Sequence, residues 1–375
     1  MVDTCRKPLL EVCDLLDSKR VPVTSNKRIH GPYPYYGANG IQDYVNDYIF
    51  DDDLVLLAED GGNFGSKDKP IAYRVSGKCW VNNHAHVLKP REGLNVDYLC
   101  YSLMYYDTKG LVNGATRKKL TQAAMKNIKI PILAYNEQLK IVKRIAVVST
   151  LIKNKKKELG LLDEFVKSRF IEMFGDPLAG NAKWPIHNLC MVADAIDPQP
   201  SHRTPPIDEN GIPYVSIKDC DYNTGKIDFE KARKVNVTVL QKHKTRYQIH
   251  NGDMMIGKIG TIGYPVILPT DETYTLSANV ILIQPNKFKV QPYFLKYSLE
   301  SPYVESQFDK AKHSTSQSAF GILKLRKIKV MNPELSIQNQ FADFVHQVDK
   351  SKMAVQKSLD ELETLKKSLM QTYFG

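Results

Sequence analysis

Two long stretches of the chain repeat apolar residues at alternating steps of four and three positions. The first repeat runs through Ile141, Ile145, Val148, Ile152, Lys155, Leu159, Leu162, Val166, Arg169 and Met173. The second runs through Phe341, Val345, Val348, Lys352, Val355, Leu359, Leu362, Lys366, Leu369 and Tyr373. This spacing places one apolar seam along a helix and is typical of a coiled coil. The pattern therefore predicts two long helices with seams of equal length.

The order of the segments predicts that these helices pair in opposite directions. Roughly 38 helical residues span about 57 Å at a rise of 1.5 Å per residue. If the region between the helices is one compact domain, its exit lies near its entry, and the second helix runs back along the first. Pro131 and Pro333 precede the helices, and Gly175 ends the first one. In the alternative arrangement, each helix only covers the domain beside it.

The regions before the helices alternate short apolar runs with turn residues, which is typical of short strands. Residues 253–256 (Asp-Met-Met-Ile) correspond to residues 53–56 (Asp-Leu-Val-Leu). Residues 213–215 (Pro-Tyr-Val) correspond in the same way to residues 34–36 (Pro-Tyr-Tyr). The two regions are therefore predicted to be related domains that differ most in their loops.

The end of each domain, together with the helix that follows it, repeats at an offset of 200 residues, without a gap. Ile128-Lys129-Ile130 returns as Ile328-Lys329-Val330, Gln138 as Gln338, and Phe174-Gly175 as Phe374-Gly375. A repeat this long indicates two copies of a domain with its helix, and so a pseudo-twofold molecule. We predict an α+β fold in which residues 1–134 and 176–334 form similar domains. Residues 135–175 and 335–375 form the helical spacers.

The charge of the chain indicates an anionic partner. Lys and Arg number 52 against 41 for Asp and Glu, which gives a formal net charge of +11 and a pI near 9.1. Such a balance favours nucleic acid or a membrane surface. No apolar run reaches the roughly 18 residues of a membrane span, and the N-terminus lacks a signal-peptide pattern. We expect a cytoplasmic protein. Its six scattered cysteines lack a C-x-x-C pair, which argues against zinc and disulfides.

Motifs for nucleotide or methyl-donor chemistry are incomplete. Gly252 to Lys258 match the first seven positions of a phosphate-binding P-loop, but Ile259 replaces the Ser or Thr that binds Mg²⁺. A DNA methyltransferase needs a polar residue followed by Pro-Pro and an aromatic residue. The nearest match, Thr204 to Ile207, lacks the aromatic residue.

Candidates for metal chemistry are equally incomplete. Glu59 and Asp60 with Lys67 and Lys69 only loosely resemble the acidic group of a metal-dependent nuclease. His84 and His86 can face one side of a strand, yet the sequence shows no third ligand, so packing or polar contacts remain the alternative. We therefore predict that the chain is not an enzyme.

Basic and amide-rich loops at equivalent places in the two domains are the best functional candidates. Lys and Arg neutralise phosphates and can bond guanine, while Asn, Gln, Ser and Thr read other base edges. The candidate DNA contacts are Tyr35, Tyr36, Lys67, Lys69, Arg117, Lys118, Lys119, Lys218, Lys258, Lys312, His313, Ser316 and Gln317. For each basic residue the alternative is a solvated surface, and for each tyrosine it is packing in the core.

Several segments, taken in order and in duplicate, carry a family resemblance. They are residues 33–40 (Tyr-Pro-Tyr-Tyr-Gly-Ala-Asn-Gly), 53–57 before a Gly-rich turn, 80–87 (Trp-Val-Asn-Asn-His-Ala-His-Val), 128–132 leading to Glu137-Gln138, and 337–342 (Ile-Gln-Asn-Gln-Phe-Ala). Together they resemble the specificity subunits of type I restriction-modification systems over essentially the whole chain.

The resemblance implies a division of labour. In that family two target recognition domains, here residues 1–134 and 176–334, each read one half of a split DNA sequence. Two conserved helices pair as an antiparallel coiled coil and set the gap. Two methyltransferase subunits are expected to dock on this scaffold, and whether a restriction (motor nuclease) subunit joins them stays open. S-adenosylmethionine, ATP and Mg²⁺ would be bound by those partners. A stand-alone DNA-binding regulator or architectural protein is the alternative.

Overall fold

The computed structural model describes residues 5–66, 68–114, 117–201, 203–221, 224–258, 262–313 and 320–375, without the side chains of Lys312 and His313. The chain forms two compact units, one of residues 1–157 with 356–375 and the other of residues 158–355. We call residues 5–134 of the first unit head one, and residues 175–334 of the second unit head two. Each unit also holds the beginning of one long helix and the end of the other.

Head one is built mainly from short strands. In chain order, strands β1 to β12 are Arg6–Pro8, Cys13–Leu15, Tyr33–Gly37, Gly40–Val45, Phe50–Asp51, Leu54–Ala58, Ala72–Val75, Lys78–Val81, Ala85–Pro90, Val112–Asn113, Lys119–Leu120 and Lys129–Pro131. Helices α1 to α3 are Leu9–Val12, Val96–Met104 and Gln122–Met125. One sheet has the antiparallel order β2-β9-β6-β7, and a second has the order β4-β3-β8-β5, with β3 parallel to β8.

Two long helices, α4 and α9, follow the heads. They span Tyr135–Phe174 and Leu335–Phe374 and have 40 residues each. Every seam position predicted from the heptads is buried or half-buried, as a coiled coil requires. Among the described residues, no helix combines the length and apolar character that crossing a membrane demands.

Head two contains strands β13 to β23 and helices α5 to α8. The strands are Gly175–Asp176, Asn181–Ala182, Ile186–Asn188, Ala193–Ile196, Ile212–Val215, Arg233–Val235, Met254–Gly257, Val266–Ile267, Thr275–Leu276, Val280–Pro285 and Lys329–Met331. The helices are Val237–Lys244, Pro292–Leu299, Pro302–His313 and Ile322–Arg326. One sheet has the order β16-β22-β19-β20 and a smaller one the order β18-β17-β21, with β17 parallel to β21.

The two heads therefore share one framework. The order β16-β22-β19-β20 repeats β2-β9-β6-β7, and the parallel pair of β17 and β21 repeats that of β3 and β8. Tyr35 lies opposite Trp80 in the first pair, and Tyr214 lies opposite Thr275 in the second. The predicted match between the segments that contain Tyr35 and Tyr214 thus agrees with the strand pairing.

The match between residues 53–56 and 253–256 needs a correction of one residue. Val55 pairs with Leu88 in head one, and Met254 pairs with Ile283 at the corresponding ladder position in head two. Val55 and Met254 both face the apolar cluster that includes the long helices, so Val55 is the structural counterpart of Met254. A shift of one residue matters because it exchanges the two faces of a strand.

In each unit the beginning of one long helix packs beside the end of the other. In the first unit, Ile141 and Ile145 of α4 share a core cluster with Met370 of α9. In the second unit, Phe170 of α4 packs against Phe341 of α9 with ring centroids 5.4 Å apart. These two observations together mean that the helices run antiparallel, so this prediction is confirmed.

A buried glutamine at the start of each long helix joins the helix to its head. Gln138 and Gln338 are both fully buried. Gln138 accepts a hydrogen bond from the Asn95 N–H at 2.8 Å and donates to the carbonyl oxygens of Gly93 and Leu133, each at 2.9 Å. Because a buried amide needs all of these partners, it fixes the direction in which the helix leaves the head.

Gln338 makes the corresponding bonds in head two. It accepts from the Gln291 N–H at 2.8 Å and donates to the carbonyl oxygens of Pro333 at 2.7 Å and Lys289 at 3.4 Å. Asn95 and Gln291 are the N-cap residues of α2 and α6. The same clamp therefore links a long helix to the capped end of one head helix in both units.

The last residues of the long helices also occupy equivalent places. Phe374, at the end of α9, contacts Tyr98 of α2 edge-on, with ring centroids 5.1 Å apart. Phe174, at the end of α4, contacts Phe294 of α6 edge-on at 4.7 Å. Phe174 is fully buried, and burial of its ring stabilises its unit by about 1.5 to 3 kcal/mol. Phe374 is half-buried and contributes less.

Candidate nucleic-acid interface

The basic segment of head one, Arg117-Lys118-Lys119, lies on a hairpin formed by β10 and β11. Gly114 in this hairpin has φ 106°, and a Cβ atom there would lie 2.2 Å from the carbonyl oxygen of Arg117. The turn therefore requires glycine at this position. All three basic residues are exposed, so the hairpin presents them to solvent.

The hairpin is attached to the segment that follows β6. The Leu120 N–H donates to the carbonyl oxygen of Glu59 at 2.7 Å, and the Gly61 N–H donates to that of Lys118 at 3.1 Å. Asp60 and Lys119 form an isolated antiparallel bridge between these bonds. The backbone thus brings the acidic pair Glu59-Asp60 beside the basic segment.

Each acidic residue of this pair binds a basic side chain. The Arg117 Nε atom lies 2.7 Å from Asp60 Oδ1, and the Lys119 Nζ atom lies 3.2 Å from Glu59 Oε1. His84 Nδ1 lies 3.5 Å from Asp60 Oδ2. Two of the candidate DNA contacts, Arg117 and Lys119, therefore form ion pairs with carboxylates. Lys118 between them is exposed and forms no such pair in the part of the chain that the structure describes.

Behind this surface lies a buried polar network centred on Asp17. Its Oδ2 atom accepts hydrogen bonds from His86 Nδ1 at 2.6 Å and from Gln122 Nε2 at 2.9 Å, and Oδ1 accepts from the Val87 N–H at 2.9 Å. The guanidinium of Arg20 lies 3.2 Å from Asp17 and 2.7 Å from Glu59. Arg20 therefore joins the interior carboxylate to the one that binds Lys119.

The network also determines the ionisation of Asp17. Burial alone would raise the pKa of its carboxyl, but the hydrogen bond and charge of His86, the Val87 N–H and the charge of Arg20 together lower that pKa below its ordinary value. Asp17 thus stays ionised inside the head because its partners outweigh its loss of solvation.

The side chains of Asp17, Glu59 and His86 could in principle hold a metal ion, since their ligand atoms lie within 4.8 Å of one another. The guanidinium of Arg20 already bridges the two carboxylates, and the second ring nitrogen of His86 lies 2.8 Å from the carbonyl oxygen of Leu120. These contacts supply the cation and the hydrogen bonds that the three groups require. His84, the other candidate ligand, faces Asp60 and Arg117 instead.

Tyr35 and Tyr36 occupy different environments. Tyr35 is 1% exposed, its hydroxyl accepts from the Val23 N–H at 3.0 Å, and the guanidinium of Arg28 lies 4.2 Å from its ring centroid. Tyr36 is half-buried, with its ring 5.7 Å from that of Tyr73. The structure therefore places Tyr35 in the core, the alternative role noted for these tyrosines, and leaves Tyr36 partly accessible.

Lys258, a candidate contact of head two, also lies in the interior. Its side chain is 9% exposed, and its amine lies 2.8 Å from Asp197 and donates to the carbonyl oxygen of Ala278 at 3.0 Å. A buried lysine with these partners has a structural ion pair rather than a free charge. The prediction that Lys258 contacts DNA at the surface is therefore wrong, because its side chain is buried in this ion pair.

The backbone shows that Lys258 is the counterpart of Glu59. The Lys258 N–H donates to the Asn279 carbonyl and its own carbonyl accepts from the Phe320 N–H, each at 2.8 Å. Glu59 makes the same two bonds, to His84 and Leu120. The end of the same central strand therefore carries an acid in head one and a base in head two.

The remaining candidates fall into two groups. Lys69 and Lys218 are exposed, as a DNA contact requires. Lys67, Ser316 and Gln317 lie outside the described residues. Lys312 and His313 belong to the last turn of α7, but their side chains are likewise outside what the structure describes.

Reasoning from the sequence missed the residues that hold the basic segment in place. Asp60 and His84 stand beside Arg117 in space but 57 and 33 positions away in the chain, and Arg20 is farther still. Glu59 and Asp60 were visible as an acidic pair, yet only the pairing of their segment with β11 shows that they serve arginine and lysine. An acidic pair at a strand end, with a basic run in a later hairpin, is the signal that could have indicated it.

A family model and two related proteins all point to the same family. The family model described as "Type I restriction modification DNA specificity domain" matches residues 1–161 and 205–364. A Haemophilus influenzae protein provisionally named as a type I restriction enzyme specificity subunit is 29% identical, over 97% of this chain and 89% of that protein. The MjaVIII specificity subunit of Methanocaldococcus jannaschii is 22% identical, over 95% of this chain and 88% of that protein.

A solved structure shows the same fold. The crystal structure of a type I restriction-modification S subunit from M. genitalium covers 100% of this chain and 97% of its own, with a TM-score of 0.58. Its sequence identity is 13%, so the likeness concerns the arrangement of the backbone. The duplicated heads and long helices described above are thus a known architecture.

Proposed function

Since the chain belongs to the family of type I restriction-modification specificity subunits, we propose that it reads a split DNA sequence, one half with each head. It acts as the non-catalytic reading subunit of a complex whose other subunits modify, and where present cleave, the DNA. The observation that carries this proposal is the repeated framework, in which two heads of one topology end in the same glutamine clamp.

The differences between the heads support separate half-sites. Where the frameworks correspond, head one places Glu59 and head two Lys258 at the same strand end. Head two also has helix α5, Val237–Lys244, where head one has the short strand β5. Conserved frameworks with different surface segments are what two readers of different base sequences require.

The long helices set the gap between the half-sites in this proposal. Each has 40 residues, or about 60 Å at 1.5 Å per residue. That is long enough to serve reading heads that enter major grooves about one duplex turn, 34 to 36 Å, apart. The clamps formed by Gln138 and Gln338 support this role because a ruler must leave each head in a fixed direction.

The same helices offer docking surfaces for methyltransferase subunits. In the first unit, Val147 and Leu365 are 52% and 46% exposed and line a groove of about 530 Å³, rimmed by Lys140, Lys143 and Arg144. In the second unit, Phe165 and Met353 are 53% and 73% exposed. A groove lined by apolar side chains on a helix pair fits a protein interface, so the groove of the first unit supports docking there.

S-adenosylmethionine, ATP and Mg²⁺ are bound by the partners in this proposal. The segment that resembles a P-loop supports this assignment, because Met254–Gly257 within it form the central strand β19 of a sheet rather than a phosphate-binding loop. The recognition chain then contributes base and phosphate contacts, and its partners contribute the chemistry.

Methylome sequencing tests the function directly. The chain is expressed with its methyltransferase subunit in a host that lacks both, and every methylated adenine or cytosine is mapped. We expect a split motif with a fixed gap that disappears when the chain is omitted. A contiguous motif, or the same methylation without the chain, would overturn the proposal.

Two further measurements separate its parts. Replacing residues 176–330 by the equivalent segment of a relative is expected to alter only one half of the motif; a change in both halves contradicts separate reading. Purified chain and methyltransferase are expected to form a stoichiometric complex. If the chain instead binds DNA specifically but forms no complex, it is a stand-alone regulator.

A further inference from the structure

We infer that Arg117 reads a guanine in the half-site of head one, and that Asp60 is the residue that positions Arg117 for it. This inference rests on the proposed function and names one base and one contact within it. In this inference Asp60, one of the acidic pair Glu59-Asp60, positions an arginine and does not bind a metal ion.

The first argument is the orientation of the guanidinium. Arg117 Nε lies 2.7 Å from Asp60 Oδ1 in an ion pair, while the arginine side chain stays 60% exposed. Among the described residues, its terminal nitrogens make one long contact, 3.5 Å from Nη2 to His84 Nδ1. Because the ion pair lies at Nε, the terminal N–H groups of this exposed guanidinium are left to bind a ligand as a planar fork.

The second argument is that the surroundings preform this orientation. Asp60 is itself held by its backbone bridge to Lys119 and by His84, and its side chain is only 21% exposed. Gly61 has φ 70°, and a Cβ atom there would lie 3.2 Å from Arg117 Nε. The absence of a side chain at this glycine thus leaves room for the guanidinium beside the carboxylate.

The third argument concerns the kind of ligand. Guanine presents two acceptors, O6 and N7, to the major groove, and the arginine fork matches them with two parallel hydrogen bonds. A phosphate would place its negative charge close to Asp60, which repels it. The neighbouring Lys118 is exposed and has no such carboxylate in the ion pairs of the described residues, so it suits a phosphate instead.

The test uses the full chain in complex with its methyltransferase and a duplex that carries the mapped motif. Wild-type complex is expected to require guanine at one position of the head-one half-site. Replacing that guanine by 7-deazaguanine, which lacks N7, should weaken binding about tenfold or more. Arg117→Met keeps the approximate length of the side chain but has no donor, so the variant should bind all four bases at that position about equally.

Asp60→Asn tests the positioning role. It keeps the size of the side chain and removes the charge that holds Nε. We expect it to relax the same single position, whereas a merely structural aspartate would weaken binding to every sequence alike. The matched control is Lys118→Gln, which should weaken all sequences uniformly and reduce the salt dependence of binding by about one phosphate contact.

The outcomes are distinct from those of the proposed function. If wild-type complex methylates no split motif, the proposed function fails. If the motif is split but Arg117→Met leaves the base preference at every position unchanged, whether or not binding to all sequences falls, only the guanine contact is overturned. Melting curves and complex formation with the methyltransferase confirm that each variant is folded.

Discussion

Head one and head two use the same backbone position for opposite charges. In head one the strand end carries Glu59, and Arg20 bridges it to the interior Asp17. In head two the strand end carries Lys258, which reaches Asp197 directly at 2.8 Å. Asp17 and Asp197 each lie four residues after the first residue of the corresponding strands β2 and β16. An aspartate at this position is thus common to both heads, whereas the cation that pairs with it differs.

This difference shows how the framework accommodates change at its surface. Head one needs a third residue, Arg20, because an acid at the strand end cannot pair with the aspartate itself. That arrangement leaves Glu59 with a free oxygen for Lys119 and places Asp60 beside Arg117. In head two one lysine completes the pair. The same fold therefore supports an elaborate basic surface in one head and a simple interior pair in the other.

The largest expected effect comes from Asp17, compared with its counterpart Asp197. Asp17→Asn removes a buried charge with several partners and should destabilise the chain by about 3 to 5 kcal/mol, because the guanidinium of Arg20 loses its buried counter-charge. Asp197 pairs with Lys258 in a less buried site, so Asp197→Asn should cost less. Urea denaturation followed by tryptophan fluorescence measures both, since Trp80 lies in head one and Trp184 in head two.

The pH dependence of stability tests whether ionised Asp17 stabilises the folded chain. The pKa of Asp17 is lowered in the folded head, so its contribution is fully present above the unfolded value near 3.8 and is lost as pH falls through the lower folded value. Wild-type chain should therefore lose stability on acidification over that interval more steeply than Asp17→Asn. Equal slopes for the two chains would contradict an ionised, stabilising Asp17.

The glutamine clamps should show an equal effect in both units. Gln138→Met and Gln338→Met keep the approximate volume but remove the amide, which leaves backbone groups of the head without partners. Each should cost about 1 to 3 kcal/mol. Urea denaturation of the two variants, with the exposed Gln340→Met as control, measures the loss. Clearly unequal losses would show that the repeated hydrogen bonds conceal different packing.

The sequence predicted the features that depend on periodic burial. Ile141 and Phe341 begin seams whose every member is at least half-buried, because a helix that packs on one side repeats its apolar residues. The pair Gln138 and Gln338 was visible because the sequence repeats at an offset of 200 residues. Their role was not, because the partners of a buried amide are distant in the chain.

The strand match failed by one residue for a physical reason. All five residues of Leu54–Ala58 and all four of Met254–Gly257 are buried, since each strand is covered on both faces. A strand of this kind has no alternation of apolar and polar residues from which its register could be read. Lys258 was misplaced in a similar way, because its burial depends on Asp197, which lies 61 positions earlier.

The smallest effect should come from the acidic residues that correspond on the two long helices, Glu363 and Asp163. Glu363 binds Lys156 at 2.7 Å between side chains that are 48% and 59% exposed, so Glu363→Gln should cost no more than about 0.5 kcal/mol. Asp163 binds Lys352 at 2.6 Å, and that lysine is only 21% exposed at its seam position. Asp163→Asn should therefore cost more, about 1 kcal/mol.

The salt dependence of stability should also differ between the two ion pairs that join α4 and α9. The Debye length falls to about 3 Å at 1 M salt, so the small effect of Glu363→Gln should vanish there, while part of the effect of Asp163→Asn should remain. Paired denaturation curves at low and high salt measure both losses. If salt changes the loss in stability equally for the two variants, the lower exposure of Lys352 does not strengthen its ion pair. The differences between the two units would then be confined to the heads.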